Sequence, residues 1–588
     1  MAVLLAGCGL FGSDPRDAAA AFLDALAKGD AAGAGRLTDQ PVAATELIRQ
    51  VRAELKPQRV QLTVGEIRSG DRIASASFAA VWDLGRGRHW SYPGAFELVP
   101  ANTTDGWLVR WSPAVLHPRL GAHQLVTLRE VPAEPAPVVD RAGTPLLTSQ
   151  TVVTVAIDRS DTPDLDAAAA QLASALGRFD PQITQQSIIA QAGAALAGQS
   201  SAVAVLREHD YEAVRDQIAE LPGVSFPTQQ RLLGPDRDFA SQLLPGIRKV
   251  VEEQLENAAG WRIVAVTAAE QEVETLATEQ PRPVPTLTTT VDRAVQVAAE
   301  HAVDAVPNPA MIVAIQPSTG EILGVAQNSA ADAQGALSVT GRFPPGSAFK
   351  IVTASAALQS KQVTPNSPVA CPATTSIGQR VIPNDNLVEL GTLPLHTAFA
   401  RSCDTTFALL AARLGTGALT DAAHQMGIGM DYDIAGVTTF TGQVPPAESM
   451  VRRAENGFGQ GRVLANPFSM ALVASTVAAG GRLPTPILIR GVPTQTALGP
   501  VPPVPREVID AVRAMMREAV TQGTAESLVG QGQLFGKTGT AEGSPTGGDG
   551  WFVGFRGDVA FATLVVGAGS ASPALDVSGR LLSALAPA

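Results

Sequence analysis

The sequence predicts a multidomain α+β protein of about three or four domains. Three observations carry this. Its 588 residues exceed what one hydrophobic core serves, since domains average about 150 residues. Apolar residues at helical spacing give way to two-residue alternation more than once along the chain. Two proline-rich stretches, Val131-Pro132-Ala133-Glu134-Pro135-Ala136-Pro137 and Pro281-Arg282-Pro283-Val284-Pro285, interrupt both patterns, as breaks between domains do.

From the N-terminus, Met1-Ala2-Val3-Leu4-Leu5-Ala6-Gly7-Cys8-Gly9 resembles the lipobox at which bacterial signal peptides are cut and the cysteine is lipidated, though a basic stretch before it is missing. The expectation is a diacyl anchor on Cys8. No later apolar run reaches the roughly 18 residues of a membrane span. Ala18, Ala19, Phe22, Leu23 and Leu26 recur at helical spacing, Gly29 follows, and further helix runs to Leu55. From Val60 the pattern alternates. Val60, Leu62 and Val64, then Ala74, Ala76, Phe78 and Ala80, then Trp90 to Leu98 and Trp107-Leu108-Val109 predict a curved antiparallel sheet on those helices.

Past the first proline-rich stretch, Val138 to Thr144 predicts a strand, a turn and another strand, residues 162–225 predict Ala- and Gln-rich helices, and Ser241 to Leu276 predict helix then strand. No chemistry-bearing spacing occurs there. Past the second, Val291 to Val306 predicts an amphipathic helix. Met311–Ile315 and Ile322–Val325 flank the turn Gln316-Pro317-Ser318-Thr319-Gly320 as a buried hairpin.

The chemistry centres on Phe343-Pro344-Pro345-Gly346-Ser347-Ala348-Phe349-Lys350-Ile351-Val352. The prolines and Gly346 cannot sit inside a helix, so Ser347 stands at an N-cap or first-turn position before an apolar helix. Ser347 and Lys350, three apart, share a face. An alcohol attacks only when a base takes its proton, and burial disfavours a charged lysine, so a neutral Lys350 is the expected base. A Ser-x-x-Lys pair arises by chance about once in ~300 residues and alone means little. Yet the only lysines are Lys28, Lys56, Lys249, Lys350, Lys361 and Lys537, against many more arginines, and arginine cannot deprotonate. Lysine kept in so arginine-rich a chain points to proton chemistry.

Two further segments follow. Ala400-Arg401-Ser402-Cys403-Asp404-Thr405 opens the apolar helix around Phe407-Ala408-Leu409-Leu410, and Ser402 can relay a proton. Phe535-Gly536-Lys537-Thr538-Gly539-Thr540-Ala541 reads as a short strand. Its Gly539 admits a close backbone, its edge can bind an extended peptide, and Lys537 with Thr538 can hold a carboxylate. Net charge is −12 without a basic run, which argues against nucleic acid. Seven scattered histidines and unclustered cysteines predict no metal site, and no cofactor is expected. With Cys8 lipidated, Cys371 and Cys403 remain in an oxidising compartment as a candidate disulfide, or as two unpaired apolar side chains.

Together these segments resemble the serine penicillin-recognising enzymes, with their Ser-x-x-Lys, Ser-x-Asn and Lys-Thr-Gly signatures. Supporting matches are Pro344-Pro345-Gly346, Gly459-Gln460-Gly461 with Asn466-Pro467, Gly480-Gly481 and Trp551-Phe552-Val553-Gly554. Residues 129–283 resemble the elongated pedestal of class B penicillin-binding proteins. Residues 14–128, with Gly106 to Trp111 before Pro113, resemble the nuclear-transport-factor-like extension of the methicillin-resistance type. The resemblance implies a lipobox and spacer over 1–13, these two domains, and a transpeptidase domain over 284–588 built as an antiparallel sheet with helices on both faces.

It also implies a D,D-transpeptidase, in which Ser347 attacks the carbonyl between the terminal D-alanines of a peptidoglycan stem peptide and Lys350 takes its proton. The backbone amides of Ser347 and Thr540 form the oxyanion hole, Ser402 with Lys537 passes the proton to the leaving D-alanine, and Thr538 and Thr540 bind the terminal carboxylate beside Gly539. β-Lactams stall the enzyme as donor mimics. The implied location is the outer face of the plasma membrane, with a glycosyltransferase of division or elongation as partner. A carboxypeptidase or β-lactamase-like hydrolase, and a non-catalytic sensor or scaffold, are the alternatives. Asp404 departs from the pattern, which has Asn there. A carboxylate only accepts hydrogen bonds and works against a neutral Lys350 unless it pairs elsewhere or is protonated.

Overall fold

The structure, a computed structural model, describes residues 14–585 except 71, 102–105, 197, 545 and 546. Cys8 and the lipobox lie outside the described residues. The described residues form two compact units, one within 14–134 with 253–284 and the other within 135–252 with 285–585.

In the first unit the helix Pro15–Lys28 starts at Asp14, whose carboxylate accepts from the Arg16 amide at 2.7 Å, and stops at Gly29 in the left-handed region at φ 82°. It buries Ala18, Ala19, Phe22, Leu23 and Leu26, the stripe read from the sequence. Helix Pro41–Leu55 buries Ala44, Ile48, Val51 and Leu55. The first covers an antiparallel sheet of Arg59–Ser69, Ala74–Asp83, His89–Pro100 and Trp107–Val109 in that order, and the second packs on the strand Leu125–Val131. Strand Ala74–Asp83 alternates buried and more exposed residues along its length, because successive side chains point to opposite faces.

The sequence predicts one contiguous pedestal over 129–283, and the structure divides that span. Strands Gly260–Val266 and Glu272–Glu279 pair with each other, and the first also pairs with Leu125–Val131. Trp261, Ile263, Ala265 and Leu276 then join Phe22, Trp82 and Trp90 in one core. The cause is apolar burial: the inward face of this hairpin matches the N-terminal core, and sequence adjacency does not decide which core takes it.

In the second unit the long strand Pro145–Ile157 pairs with Val138–Val139, Ser201–Arg207, Val224–Ser225 and Thr228–Leu233. Helices Leu165–Leu176 and Gln185–Ala194 pack on it through Leu172, Leu176 and Ile188. The all-helical expectation for 162–225 is corrected at Ser201–Arg207, where Ala and Val alternate and the segment is a strand.

The remainder of this unit is built on a five-stranded antiparallel sheet ordered Ile322–Gln327, Ala310–Ile315, Val559–Val565, Gly547–Arg556, Leu534–Ser544. Ile312, Ala314, Phe561 and Val565 pack with helices Arg293–Asp304 and Ser572–Ala584. Met311, Val313, Ala562 and Leu564 alternate with them and are equally buried. Helix Pro467–Ala478, buried along nearly its whole length, packs on the same strands. Covered on both faces, the sheet is stiff, and Leu534–Ser544 is left at its edge.

Candidate active site

The nucleophile segment is locked before its helix begins. Gly346 lies at φ 51° and donates its amide to the Gly459 carbonyl at 3.0 Å. A Cβ there would collide with the Thr540 carbonyl, and one on Gly459 would collide with the Gly346 carbonyl. The Trp551 indole donates to the Pro344 carbonyl at 3.0 Å. The chain then makes a 3-10 turn, Gly346–Phe349, that runs into the helix Lys350–Gln359. Ser347 is therefore in the 3-10 turn and does not act as a side-chain cap. Residues three apart eclipse in such a turn, so Ser347 and Lys350 do share a face.

The second segment joins the helices Leu395–Ala400 and Asp404–Ala412. Ser402 sits between them at φ 61°, a left-handed conformation that costs a non-glycine residue roughly 1–2 kcal/mol. This turns its carbonyl and hydroxyl toward Lys350. Cys403, the next residue, is disulfide-bonded to Cys371. Buried Asn384 donates to the Pro372 and Val388 carbonyls, each at 2.8 Å, and accepts from the Thr405 amide at 3.0 Å, which pins the start of the helix that carries Asp404.

The third segment is the edge strand. Gly539 is needed because a Cβ there would stand 2.8 Å from the Ala348 nitrogen and the Pro345 oxygen. Lys537 is fully buried and donates to Ser402 Oγ and the Thr538 carbonyl, both at 2.9 Å. Thr538 Oγ1 meets Thr524 Oγ1 at 2.5 Å. Thr540 stands opposite Gly550 in the sheet.

The polar atoms of the three segments form one chain of hydrogen bonds. Ser347 Oγ donates to Asp404 Oδ1 at 3.0 Å, and Lys350 Nζ donates to the same oxygen at 2.6 Å. Lys350 Nζ also reaches the Ser402 carbonyl at 2.7 Å and Ser402 Oγ at 3.3 Å. The chain continues to Lys537. Burial pulls Lys350 below the usual lysine range, with the Asp404 carboxylate pulling it back up. Lys537 is driven well below that range by burial and then by the charge of Lys350.

The structure thus gathers Ser347, Lys350, Ser402, Asp404, Lys537, Thr538 and Gly539 at one place. Sequence reasoning missed Thr524, a lone threonine after the helix Arg506–Thr521, and Asn384, which lies in a polar stretch that reads as loop. Neither carries a local signal. A cleft of about 1020 Å³ lined by Phe179, Arg207, Arg237 and Leu244 shares no residue with these motifs. Among the described residues no cluster of His, Cys, Asp or Glu could hold a metal ion, and no helix is long and apolar enough to cross a membrane.

Three family models match in chain order: an NTF2-like N-terminal transpeptidase domain over 14–124, a penicillin-binding protein dimerisation domain over 130–260, and a penicillin-binding protein transpeptidase domain over 310–584. The chain belongs to the class B penicillin-binding proteins. This penicillin-binding protein is 28% identical to peptidoglycan D,D-transpeptidase PbpA of Mycobacterium tuberculosis over 216 residues, 31% of this chain and 43% of that protein. It is 26% identical to stage V sporulation protein D of Bacillus subtilis, over 43% of this chain and 44% of that protein. A longer match, 22% identical over 71% of this chain and 72% of the relative, is to peptidoglycan D,D-transpeptidase MrdA of Acinetobacter baumannii. The matches to the first two span less than half of each relative's length.

Proposed function

We propose that this penicillin-binding protein is a peptidoglycan D,D-transpeptidase that works through an acyl-enzyme on Ser347. The observation that carries this is the unbroken chain of hydrogen bonds Ser347, Asp404, Lys350, Ser402, Lys537 beside the edge strand of the sheet. A stem peptide lies along the edge strand Leu534–Ser544 as an added strand. Its terminal carboxylate meets Thr538 and Thr540 beside buried Lys537. The backbone amides of Ser347 and Thr540 face the carbonyl oxygen, where one such donor contributes about 10²–10³ in rate.

Ser347 Oγ attacks the penultimate D-alanine carbonyl carbon, and its proton passes to the Lys350–Asp404 pair. The C–N bond breaks as Ser402, backed by Lys537, supplies a proton to the departing amine. An amine from a neighbouring strand then attacks the ester and restores Ser347. Cys8 as a lipid anchor, an extracytoplasmic site on the plasma membrane and a glycosyltransferase partner belong to the same reading.

Intact mass after incubation with benzylpenicillin tests it. The wild type gains the mass of one penicillin and Ser347→Ala gains nothing. Absence of an adduct on the wild type, or rapid catalytic destruction of the penicillin, overturns the transpeptidase assignment.

A further inference from the structure

We infer that Asp404, rather than Lys350, is the group that takes the proton from Ser347, and that Lys350 stays a cation that hands a proton on to Ser402. The inference rests on the acyl-transfer reading above.

Geometry carries it. The Ser347 hydroxyl donates to Asp404 Oδ1 at 3.0 Å, and among the described residues no hydrogen bond joins it to Lys350 Nζ. The three acceptors around Nζ are Asp404 Oδ1, the Ser402 carbonyl and Ser402 Oγ. An ammonium has three donors, and here each has a partner. A neutral amine would need a group that donates to its lone pair. The carbonyl and the carboxylate cannot do so, and the remaining neighbour is Ser402 Oγ. None of the hydrogen bonds of Lys350 Nζ goes to Ser347.

Residue type then decides the chemistry. Asparagine would place a similar oxygen beside Ser347, but an amide oxygen is not a base, whereas a carboxylate is. The side chain of Asp404 is 17% exposed while that of Lys350 is fully buried, so Asp404 is the member of the pair that reaches the surface. The charged groups around the pair are Lys350 from the helix Lys350–Gln359, Lys537 from the edge strand and Asp385 from the turn Asp385–Leu387. The Lys350 Nζ at 2.6 Å from Asp404 Oδ1 favours a negative oxygen beside the serine.

The step balances. A bond forms between Ser347 Oγ and the acyl carbon while the hydroxyl proton moves to Asp404 Oδ1. Lys350 passes one of its protons to Ser402 and takes up the proton held by Asp404. Ser402 delivers its own proton to the leaving nitrogen as the C–N bond breaks. The pair ends as carboxylate and ammonium, as it began.

The test is the rate of acylation by benzylpenicillin from about pH 5.5 to 8 in the wild type and Asp404→Asn. With Asp404 as base, Asp404→Asn acylates at least about tenfold more slowly than the wild type across the range, and Asp404→Glu, which keeps a carboxylate, recovers part of the loss. With Lys350 as base, removing the carboxylate that holds the lysine up leaves more of it neutral, and an Asp404→Asn rate equal to or above the wild-type rate toward acid overturns the inference. No adduct on the wild type at any pH would sink the acyl-transfer reading itself, whereas an adduct formed as fast by Asp404→Asn removes only the role of Asp404.

Discussion

The disulfide inside the second motif makes a sharp prediction. Cys403 lies between Ser402 and Asp404, its partner Cys371 ends the strand Pro368–Cys371, and the bond closes a loop with a sequence separation of 32. In the chain-entropy account such a loop is worth about 3.7 kcal/mol. Replacement by Cys371→Ala with Cys403→Ala removes this constraint. Three hydrogen bonds across the same junction remain: Thr405 Oγ1 to the Pro372 carbonyl, Thr406 Oγ1 to the Ala370 carbonyl, and the Thr405 amide to Asn384. At about 1 kcal/mol each they keep the fold. The left-handed conformation of Ser402 loses its neighbouring clamp, and its cost of about 1–2 kcal/mol sets a fall in acylation of roughly 5- to 30-fold. The assays are thiol titration of denatured protein with and without reductant, thermal unfolding, and the rate of β-lactam acylation. Reduction should expose two further thiols. Equal thiol counts in the two conditions, or a double variant that unfolds and acylates like the wild type, would refute the reasoning.

Two other perturbations follow from local geometry. Gly346→Ala places a methyl group against the Thr540 carbonyl at a backbone angle that favours glycine, so acylation should drop by more than tenfold, read as the rate of penicillin labelling. His117 is held down to about 4 by burial and then by the charge of Arg119, with Glu274 opposing. It stacks on Trp90 with ring centroids 5.2 Å apart, and its Nδ1 accepts from the Arg119 amide at 3.3 Å. Its folded value lies below the unfolded one, so its contribution is complete above about pH 6.5 and is lost as pH falls toward 4, by at most about 3 kcal/mol. Unfolding of the first unit followed from pH 7 to 4 should show this slope, and His117→Gln should flatten it.

Local spacing made much of this protein legible. The stripe of Ala18, Ala19, Phe22, Leu23 and Leu26 named the buried face of its helix, alternation named the inward residues of Ala74–Asp83, and the three-residue step from Ser347 to Lys350 placed both on one face. Each is a property of neighbours along the chain, where backbone geometry alone decides which side chains stand together. Tertiary structure decided the rest. It moved 253–284 to the N-terminal core, set Ser402 in a left-handed turn, brought Thr524 to Thr538, and placed the Asp404 carboxylate, 57 residues from Ser347, between the hydroxyl and the lysine. Such contacts join residues tens to hundreds of positions apart and depend on how whole elements pack. The sequence therefore determined which groups could carry the chemistry, and only the packed elements decided which oxygen faces the nucleophile.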